Sequence, residues 1–195
     1  HFTDYEMKEL VRVWEVSLDT ISSINTVVRW FKVKTREVLD SGQKFIRFTS
    51  CTGSVMTLKY PKTERTNIRT FHYGSTKLKR QFTLNEVTDK VDRTGLLNAI
   101  VPNITHLTDS SSLCESFWDY NGDFVTIHDC VGLPPSQSLD EGVQRLKDGF
   151  IKSTKHDVWE TFCLDNGLRI DPQTPPPVVG DLDLELIRDS KYLYS

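Results

Sequence analysis

The chain has 195 residues, of which 37% are hydrophobic and 26% are charged. This composition is typical of a globular domain and argues against a disordered chain. No apolar run approaches the roughly 20 residues that cross a bilayer, and the first residues lack the basic lead and apolar stretch of a signal peptide, so we expect no membrane partner. The net charge of −3 argues against a chain wrapped in nucleic acid. Because the chain does not begin with methionine, we expect a trimmed or partial chain.

The four cysteines of the chain show no paired CxxC spacing. This pattern argues against a structural zinc site and does not call for a disulfide framework. A reducing compartment fits this cysteine usage best.

Residues 1–40 are predicted to form a helical layer. Their apolar residues recur at intervals of three and four, which is the period of one helix face. A stretch rich in serine and threonine at 20–26 divides the pattern into two helices, and Gly42 is predicted to end the second. The residues of the stripe are Leu10, Trp14, Leu18, Ile21, Val28 and Phe31.

Residues 43–105 are predicted to form hairpins and extended loops. The stretch "KFIRFTSCTGSVMTLKY" alternates around a glycine, as a β-hairpin does, and extended structure is expected to continue to about residue 90. Residues 59–80 carry seven lysines and arginines against Glu64 alone, a net charge of +6. Two interpretations remain open: a solvated hairpin with lysine-protected edges, which the charge pattern alone favours, or a face that contacts phosphate.

Residues 106–170 are predicted to contain a helix, a hairpin and a second, long helix. Thr108 or Asp109 is expected to cap the first helix. Its expected buried stripe consists of Leu113, Phe117 and Tyr120.

The stretch "FVTIHDCVGLPP" follows that helix, and its first residues, 124–127, predict a short buried strand. His128 and Asp129 fall where this strand should turn. An aspartate at such a position serves either as a metal ligand or as a turn residue that caps the backbone with its own side chain.

The long helix is predicted to begin at a capping box formed by Ser138 and Glu141, and to end at Asn166 and Gly167. Its apolar face would consist of Leu139, Val143, Leu146, Phe150, Val158 and Phe162. Residues 171–195 are predicted to be a stiff proline-rich linker and a docked terminal element.

Four motifs in this order resemble the single-subunit, bacteriophage-type RNA polymerases, a family that includes mitochondrial enzymes. "FVTIHDC" resembles their third catalytic motif, and its His-Asp-Cys form is most similar to the mitochondrial branch. "VPNITHLTDSSSL" resembles the segment that precedes this motif. "FTSCTGSVMTLKY" resembles a hairpin that carries Trp-x-Thr-Pro-x-Gly, and "DLDLELIRDSKYLYS" resembles the terminal element of the family. The resemblance implies a mitochondrial location, or alternatively the bacterial cytoplasm during phage infection.

The sequence departs from the family pattern at four positions. Phe48 and Cys51 stand where the family usually has tryptophan and proline, and Leu107 replaces a serine. Ser112 stands where a second histidine is usual. These departures put nucleotide or template contacts near Ser112 in doubt.

The resemblance implies an α+β fold: a partial right-hand polymerase palm with a helical layer, antiparallel hairpins and a long helix after the catalytic hairpin. In this family two aspartates hold two magnesium ions at the growing RNA end, because both the attacking hydroxyl and the triphosphate need hard oxygen-bound cations. Asp129 would supply one of these ligands. His128 would lie beside it and contact the RNA end, or only pack in the turn.

The resemblance also implies contacts with a DNA template, an RNA product and nucleoside triphosphates. His106 would face the template or the new base pair in the minor groove, unless it only caps a helix start. Lys77, Lys79 and Arg80 are the candidate phosphate contacts of the basic segment.

The first palm motif and the fingers motif of the family are not found in this chain. "SVMTLKYPKT" matches part of the fingers motif, but Thr52 and Phe48 stand where its lysine and arginine belong, so we reject that match. One carboxylate cannot hold two magnesium ions, so the chain alone is expected to be inactive. It is interpreted as the carboxy-terminal part of a longer polymerase or as one subunit of a divided one, with a second polypeptide carrying the missing motifs. The alternatives are a polymerase-derived structural subunit of a larger complex, such as a ribonucleoprotein, and an unrelated α/β binding module.

Overall fold

A computed structural model describes residues 3–20, 22–71, 79–128, 130–136, 138–178 and 180–190. Small antiparallel sheets alternate with helices, which confirms the predicted α+β class. In the described part of the chain, no helix is both long enough and apolar enough to span a membrane. The helices are α1 (Asp4–Thr20), α2 (Ser22–Asp40), α3 (Arg93–Phe117), α4 (Leu139–Thr154), α5 (Val158–Asp165) and α6 (Leu186–Asp189). The strands are β1 (Ile46–Thr49), β2 (Val55–Leu58), β3 (Pro61–Phe71), β4 (Lys79–Val91), β5 (Val125–Ile127) and β6 (Cys130–Gly132).

The two predicted N-terminal helices are present, and they differ in burial. Helix α2 ends before Gly42, whose φ of 95° is accessible to glycine at little cost. Its residues Trp30 and Phe31 are buried in the core, whereas Leu10 and Trp14 of α1 are at least half exposed. Only the second half of the apolar stripe therefore contributes to the hydrophobic core.

The main core lies between α2, the β1–β2 hairpin, α3 and α5. An aromatic cluster forms its centre, in which Phe31 stacks on Trp159 with ring centroids 5.0 Å apart and Trp30 meets both rings edge-on. The buried residues of this core are Trp30, Phe31, Val38, Leu39, Ile46, Phe48, Leu58, Leu96, Ile100, Ile104, Phe162 and Cys163. Burial of this apolar surface is the main driving force that holds the four elements together.

The outer edge of β1 is completed by side chains from the end of α5. Asn166 accepts from the backbone N–H of Arg47 at 2.9 Å and donates to its carbonyl at 2.7 Å, so it imitates a neighbouring strand. Asp165 accepts from the N–H of Thr49 at 2.6 Å. The predicted hairpin turn at Gly53 is confirmed, with φ of 78°.

Helix α3 begins earlier than the sequence predicts. It starts at Arg93, where the Asp92 side chain accepts from the N–H of Gly95 at 3.0 Å, and it continues through Pro102. The predicted cap at Thr108 or Asp109 is therefore wrong. Thr108 lies inside the helix and donates to the carbonyl of Ile104 at 2.9 Å, so its hydroxyl is satisfied without ending the helix.

The predicted long helix is divided into α4 and α5. Asp157 accepts from the N–H groups of Trp159 and Glu160 at 3.0 and 2.9 Å and so begins a new helix. The predicted start is confirmed, because Ser138 accepts from the N–H of Glu141 at 3.3 Å, and the end falls at Asn166 and Gly167 as expected.

Helix α4 packs on α3 through small residues. A Cβ atom at Gly149 would lie only 2.6 Å from the carbonyl oxygen of Ser112 and 2.7 Å from the N of Ser116. The two backbones thus approach closely where glycine faces serine. The predicted apolar face of α4 is only partly correct, because Leu139 is exposed and Gly149 lies at the contact.

The terminal element docks on α4, as predicted for its described part. Lys147 is buried, and its ammonium group donates to the carbonyls of Arg188 and Ser190 at 2.9 and 2.5 Å. Residues 191–195, which include the closing tyrosines, lie outside the described residues. In the preceding proline-rich stretch, Thr174 accepts from Lys34 of α2 at 3.1 Å.

Candidate catalytic hairpin and nucleic-acid interface

The predicted strand–turn–strand at "FVTIHDC" is present as the β5–β6 hairpin. Ile127 pairs with Cys130, so residues 128 and 129 alone connect the strands. The sequence predicted a buried strand, and this prediction is wrong. Val125 and Ile127 are 57% and 65% exposed. Its apolar residues therefore face solvent in this chain.

His128 occupies the first position of the two-residue turn. Its φ is 53°, a left-handed conformation that non-glycine residues rarely adopt and that the first residue of a two-residue hairpin turn commonly has. The side chain is exposed, which does not support the alternative that it only packs in the turn. Asp129, the predicted metal ligand, lies outside the described residues.

The segment before β5 is fixed by three aromatic rings. Phe124 stacks on Phe117 at the end of α3 with a centroid distance of 4.9 Å, and Tyr120 meets both rings edge-on at 5.5 and 6.0 Å. Such pairs add to the stabilisation that burial alone provides.

Arg145 of α4 joins these rings to the helices. Its guanidinium carbon lies 5.0 Å from the centroid of the Tyr120 ring. Its nitrogens donate to Asp119 at 2.8 Å and to Glu141 at 3.0 Å. The hydrogen bond from Arg145 lowers the pKa of Asp119 below its ordinary value. No motif in the sequence indicated Arg145, because Asp119 and Tyr120 lie far from it along the chain.

The segment after β6 also contacts α4. A Cβ atom at Gly142 would lie 2.5 Å from the Cδ1 atom of Leu133, so the glycine provides the space that Leu133 occupies. Within β6, Gly132 likewise makes room for the side chain of Val125 opposite it. Both ends of the hairpin are thus positioned by the first half of α4.

His106 lies on α3, apart from the helix start. Its side chain is exposed, and the alternative of helix-start capping is wrong because α3 begins at Arg93. The next residue, Leu107, packs against the main core, and Ser112 is buried at the α3–α4 contact. Packing thus accounts for two positions at which the sequence departs from the family pattern.

The basic segment forms most of the long β3–β4 hairpin, in which residues 61–70 and 81–87 are exposed. Opposite residues of antiparallel strands share a face. One face carries the apolar pair Ile68 and Phe82 with Leu84 beside them, and the other carries Arg65 and Arg69. This geometry agrees with the interpretation of a solvated hairpin, and its arginine face also presents positive charge.

Of the three cations predicted to bind nucleic acid, the structure describes Lys79 and Arg80. Lys77 lies outside the described residues. Lys79 and Arg80 begin β4, opposite Phe71 and Thr70. The structure thus describes where Lys79 and Arg80 lie, at the distal end of the hairpin, and their binding to nucleic acid stays a prediction.

The rejection of "SVMTLKYPKT" as a fingers motif agrees with its conformation. The family motif is helical, whereas residues 55–58 form β2, paired in register with β1. Phe48, where the fingers arginine would stand, is fully buried in the core.

One comparison with known proteins identifies the family. The family model for DNA-dependent RNA polymerase matches residues 12–171, which is most of the chain and includes all three hairpins and α2 to α5. The chain belongs to the DNA-dependent RNA polymerase family. This match confirms the predicted resemblance to the phage and mitochondrial type. None of the curated proteins matches the chain significantly.

Membership of the polymerase family implies a DNA template, nucleotide substrates and a general dependence on divalent metal ions. Among the residues that the structure describes, no group of three or more His, Cys, Asp and Glu side chains could hold a metal ion. The described residues of this polymerase chain thus do not by themselves form a metal site, and the donor that the sequence suggests is Asp129.

The four cysteines of the polymerase chain are free thiols. Burial raises the pKa of the Cys163 thiol in the core, which makes this thiol less reactive.

Proposed function

We propose that this chain is the carboxy-terminal part, or a split subunit, of a phage-type RNA polymerase, and that Asp129 is one of the two aspartates that bind catalytic magnesium. The supporting observation is the β5–β6 hairpin, which presents His128 at a two-residue turn inside the region that matches the polymerase family. A partial right-hand palm is the fold that this proposal requires.

The exposure of the hairpin supports a missing neighbour. Two-stranded hairpins are marginally stable in water, and β5 and β6 pair with no third strand among the described residues. Val125 and Ile127 are more than half exposed. A palm strand that carries the second aspartate would both cover these residues and complete the acid pair.

The first helix supports the same interpretation. Leu10 and Trp14 of α1 are exposed by half or more, although their spacing of four residues is typical of a buried helix face. We infer that the partner is an upstream segment or a second polypeptide that carries the fingers and the first palm motif, and that it packs on this helix.

Each remaining predicted residue has a proposed role in templated synthesis. His128 contacts the RNA end, and His106 faces the minor groove of the new base pair, where acceptors are common to all pairs. Lys77, Lys79 and Arg80 contact phosphates of nucleic acid. The two magnesium ions would activate the 3′ hydroxyl and neutralise the triphosphate.

The compartment is proposed from the motif alone. The His-Asp-Cys sequence at residues 128–130 is most similar to the mitochondrial branch, so we propose a mitochondrial location. The bacterial cytoplasm during phage infection is the alternative.

A second candidate function is a structural subunit of a larger complex, such as a ribonucleoprotein. The observation that favours it is that Phe48, Leu107 and Ser112, which depart from the family pattern, all serve packing. In this case Asp129 would have no catalytic task.

The two functions are separated by an Asp129→Asn substitution. We expect the assembly purified through a tag on this chain to incorporate nucleotides on a DNA template, and Asp129→Asn to abolish incorporation while the assembly keeps its mass. Asp140→Asn, which removes an exposed carboxylate from the first turn of α4, is the matched control and should retain activity. Equal incorporation by the Asp129 variant and the control would rule out the catalytic role.

A further inference from the structure

The β5–β6 hairpin has few anchors of its own. Its strands are three residues each, and Val125, Ile127 and Cys130 are exposed. In such a short hairpin, the position of the turn depends on how firmly the two ends are held. The contacts at the base of the hairpin therefore determine where His128 lies.

We propose that Arg145 is a positioning residue that holds the base of the β5–β6 hairpin against α3 and α4. The inference rests on the proposed function, in which the turn of this hairpin carries the metal-binding aspartate. Arg145 acts through Tyr120 and Asp119, and it does not itself contact the turn.

The contacts of Arg145 bring together three parts of the chain. Its Nε donates to Glu141 one turn before it on α4, and its Nη1 donates to Asp119 after the end of α3. Its guanidinium carbon lies over the Tyr120 ring, 5.0 Å from the ring centroid. A planar guanidinium can form these contacts together, whereas a lysine ammonium offers a point charge without a stacking face.

The ring of Tyr120 connects Arg145 to the start of the hairpin. Tyr120 lies against Phe124, the residue directly before β5, with centroids 6.0 Å apart. Phe124 also stacks on Phe117, with ring centroids 4.9 Å apart. The residue that leads into β5 is thus held by two rings, one of which, Tyr120, contacts Arg145.

Hydrogen exchange of the 195-residue chain tests this role without requiring catalysis. Arg145→Ala should accelerate amide exchange in residues 123–133 on the order of three- to thirtyfold, as expected when two ion pairs and a ring contact are lost. Exchange in the β1–β2 hairpin should not change. Arg145→Lys, which keeps charge but loses the planar face, should give an intermediate rate.

A matched control lies on the same pair of helices. Lys152 of α4 pairs with Glu115 of α3 at 3.6 Å, so Lys152→Ala also removes an ion pair between the two helices, away from the hairpin. It should leave exchange in residues 123–133 unchanged. If Arg145→Ala unfolds the chain, Asp119→Asn is the milder test, because it removes one anchor of Arg145 and should accelerate the same residues.

The purified polymerase assembly provides a second readout. A displaced hairpin should raise the magnesium concentration needed for half-maximal nucleotide addition, whereas a simple loss of folded protein would lower only the amplitude. Unchanged exchange in Arg145→Ala and Asp119→Asn, or equal acceleration in Lys152→Ala, would overturn the positioning role. If Arg145→Ala accelerates exchange but the Asp129→Asn variant is still active, the proposed function is rejected and the positioning role is retained.

Discussion

The contact between α3 and α4 places both hairpin ends and depends on the absence of a side chain at residue 149. In a Gly149→Ala variant, the new Cβ atom would lie 2.6 Å from the carbonyl oxygen of Ser112 and 2.7 Å from the N of Ser116, and closer still to the Ser116 hydroxyl. Ordinary contact begins at 3.4 Å, so α3 must move away by about 0.7 Å. A gap of this size forfeits roughly a quarter to a half of the dispersion energy across the contact.

The net effect on stability follows from two opposing contributions. Overpacking costs about 1–3 kcal/mol, and the upper end applies here because backbone atoms cannot rotate away. Alanine gains about 1 kcal/mol over glycine in helix propensity. We therefore expect Gly149→Ala to lower the free energy of unfolding by about 2 kcal/mol, which shifts a urea midpoint by about 1 M.

Urea unfolding followed by circular dichroism measures this loss, and Gly142→Ala on the same helix is the control. The Cβ atom at Gly142 would meet only the Cδ1 of Leu133, at 2.5 Å, the end of a flexible side chain that can turn aside. Gly142→Ala should stay within about 1 kcal/mol of the original chain. The account of this contact is wrong if Gly149→Ala is as stable as the original chain, or if both variants lose the same amount.

Two further predictions concern the edge strand and the terminal element. Asn166→Ala should lower the free energy of unfolding by about 1–3 kcal/mol in urea, because the backbone groups of Arg47 lose their partners, whereas Asn121→Ala on the surface should have little effect. Equal losses would contradict the strand-like role of the amide. Hydrogen bonds from Lys155 and then Arg188 lower the pKa of Glu185 from 4.5 to about 2, so its stabilising contribution is present above pH 4.5 and disappears as the pH falls through about 2. In a carbon-detected NMR titration, the Glu185 carboxylate should remain ionised at about pH 3.5 and should begin to protonate there in Lys155→Ala; protonation near 4.5 in the original chain would refute the pairing.

Local patterns predicted the elements whose signals are complete within a few residues. The β1–β2 hairpin followed from alternation around Gly53, and the start of α4 followed from Ser138 and Glu141. The turn at His128 was predicted for the same reason. In each case the residues that determine the structure are neighbours in the sequence.

The missed features depend on contacts between distant residues or on signals that compete. Pro102 and the serines and threonines after it resemble a loop, yet α3 continues because Ile100 and Ile104 are buried in the core. Hydroxyl groups among these serines and threonines bond to carbonyls of the preceding turn and so do not end the helix. The break before α5 carried a usable signal, Asp157 three residues before Glu160, which the uninterrupted apolar spacing concealed. The glycine contact of α4 requires knowledge of which helix lies opposite.

The candidate site likewise combines residues with a local sequence signal and residues whose partners are distant in the sequence. The sequence indicated His128 and Asp129 through a compact motif, whereas Arg145 has partners that lie 26 residues away at Asp119. The exposure of β5 was mispredicted because its composition is that of a buried strand, and composition does not reveal that β5 and β6 pair with no third strand among the described residues.

We propose that magnesium binds at the turn of the β5–β6 hairpin, and localised cleavage by iron can detect a metal ion there. Fe²⁺ is substituted for Mg²⁺ in the purified assembly with template and nucleotides bound; it reduces added hydrogen peroxide to hydroxide and hydroxyl radical, and the radical cuts the backbone beside the metal. We expect cleavage of this chain at residues 127–131 that disappears in Asp129→Asn and persists in Asp140→Asn. Cleavage elsewhere in the chain, or an unchanged pattern in Asp129→Asn, would contradict the account.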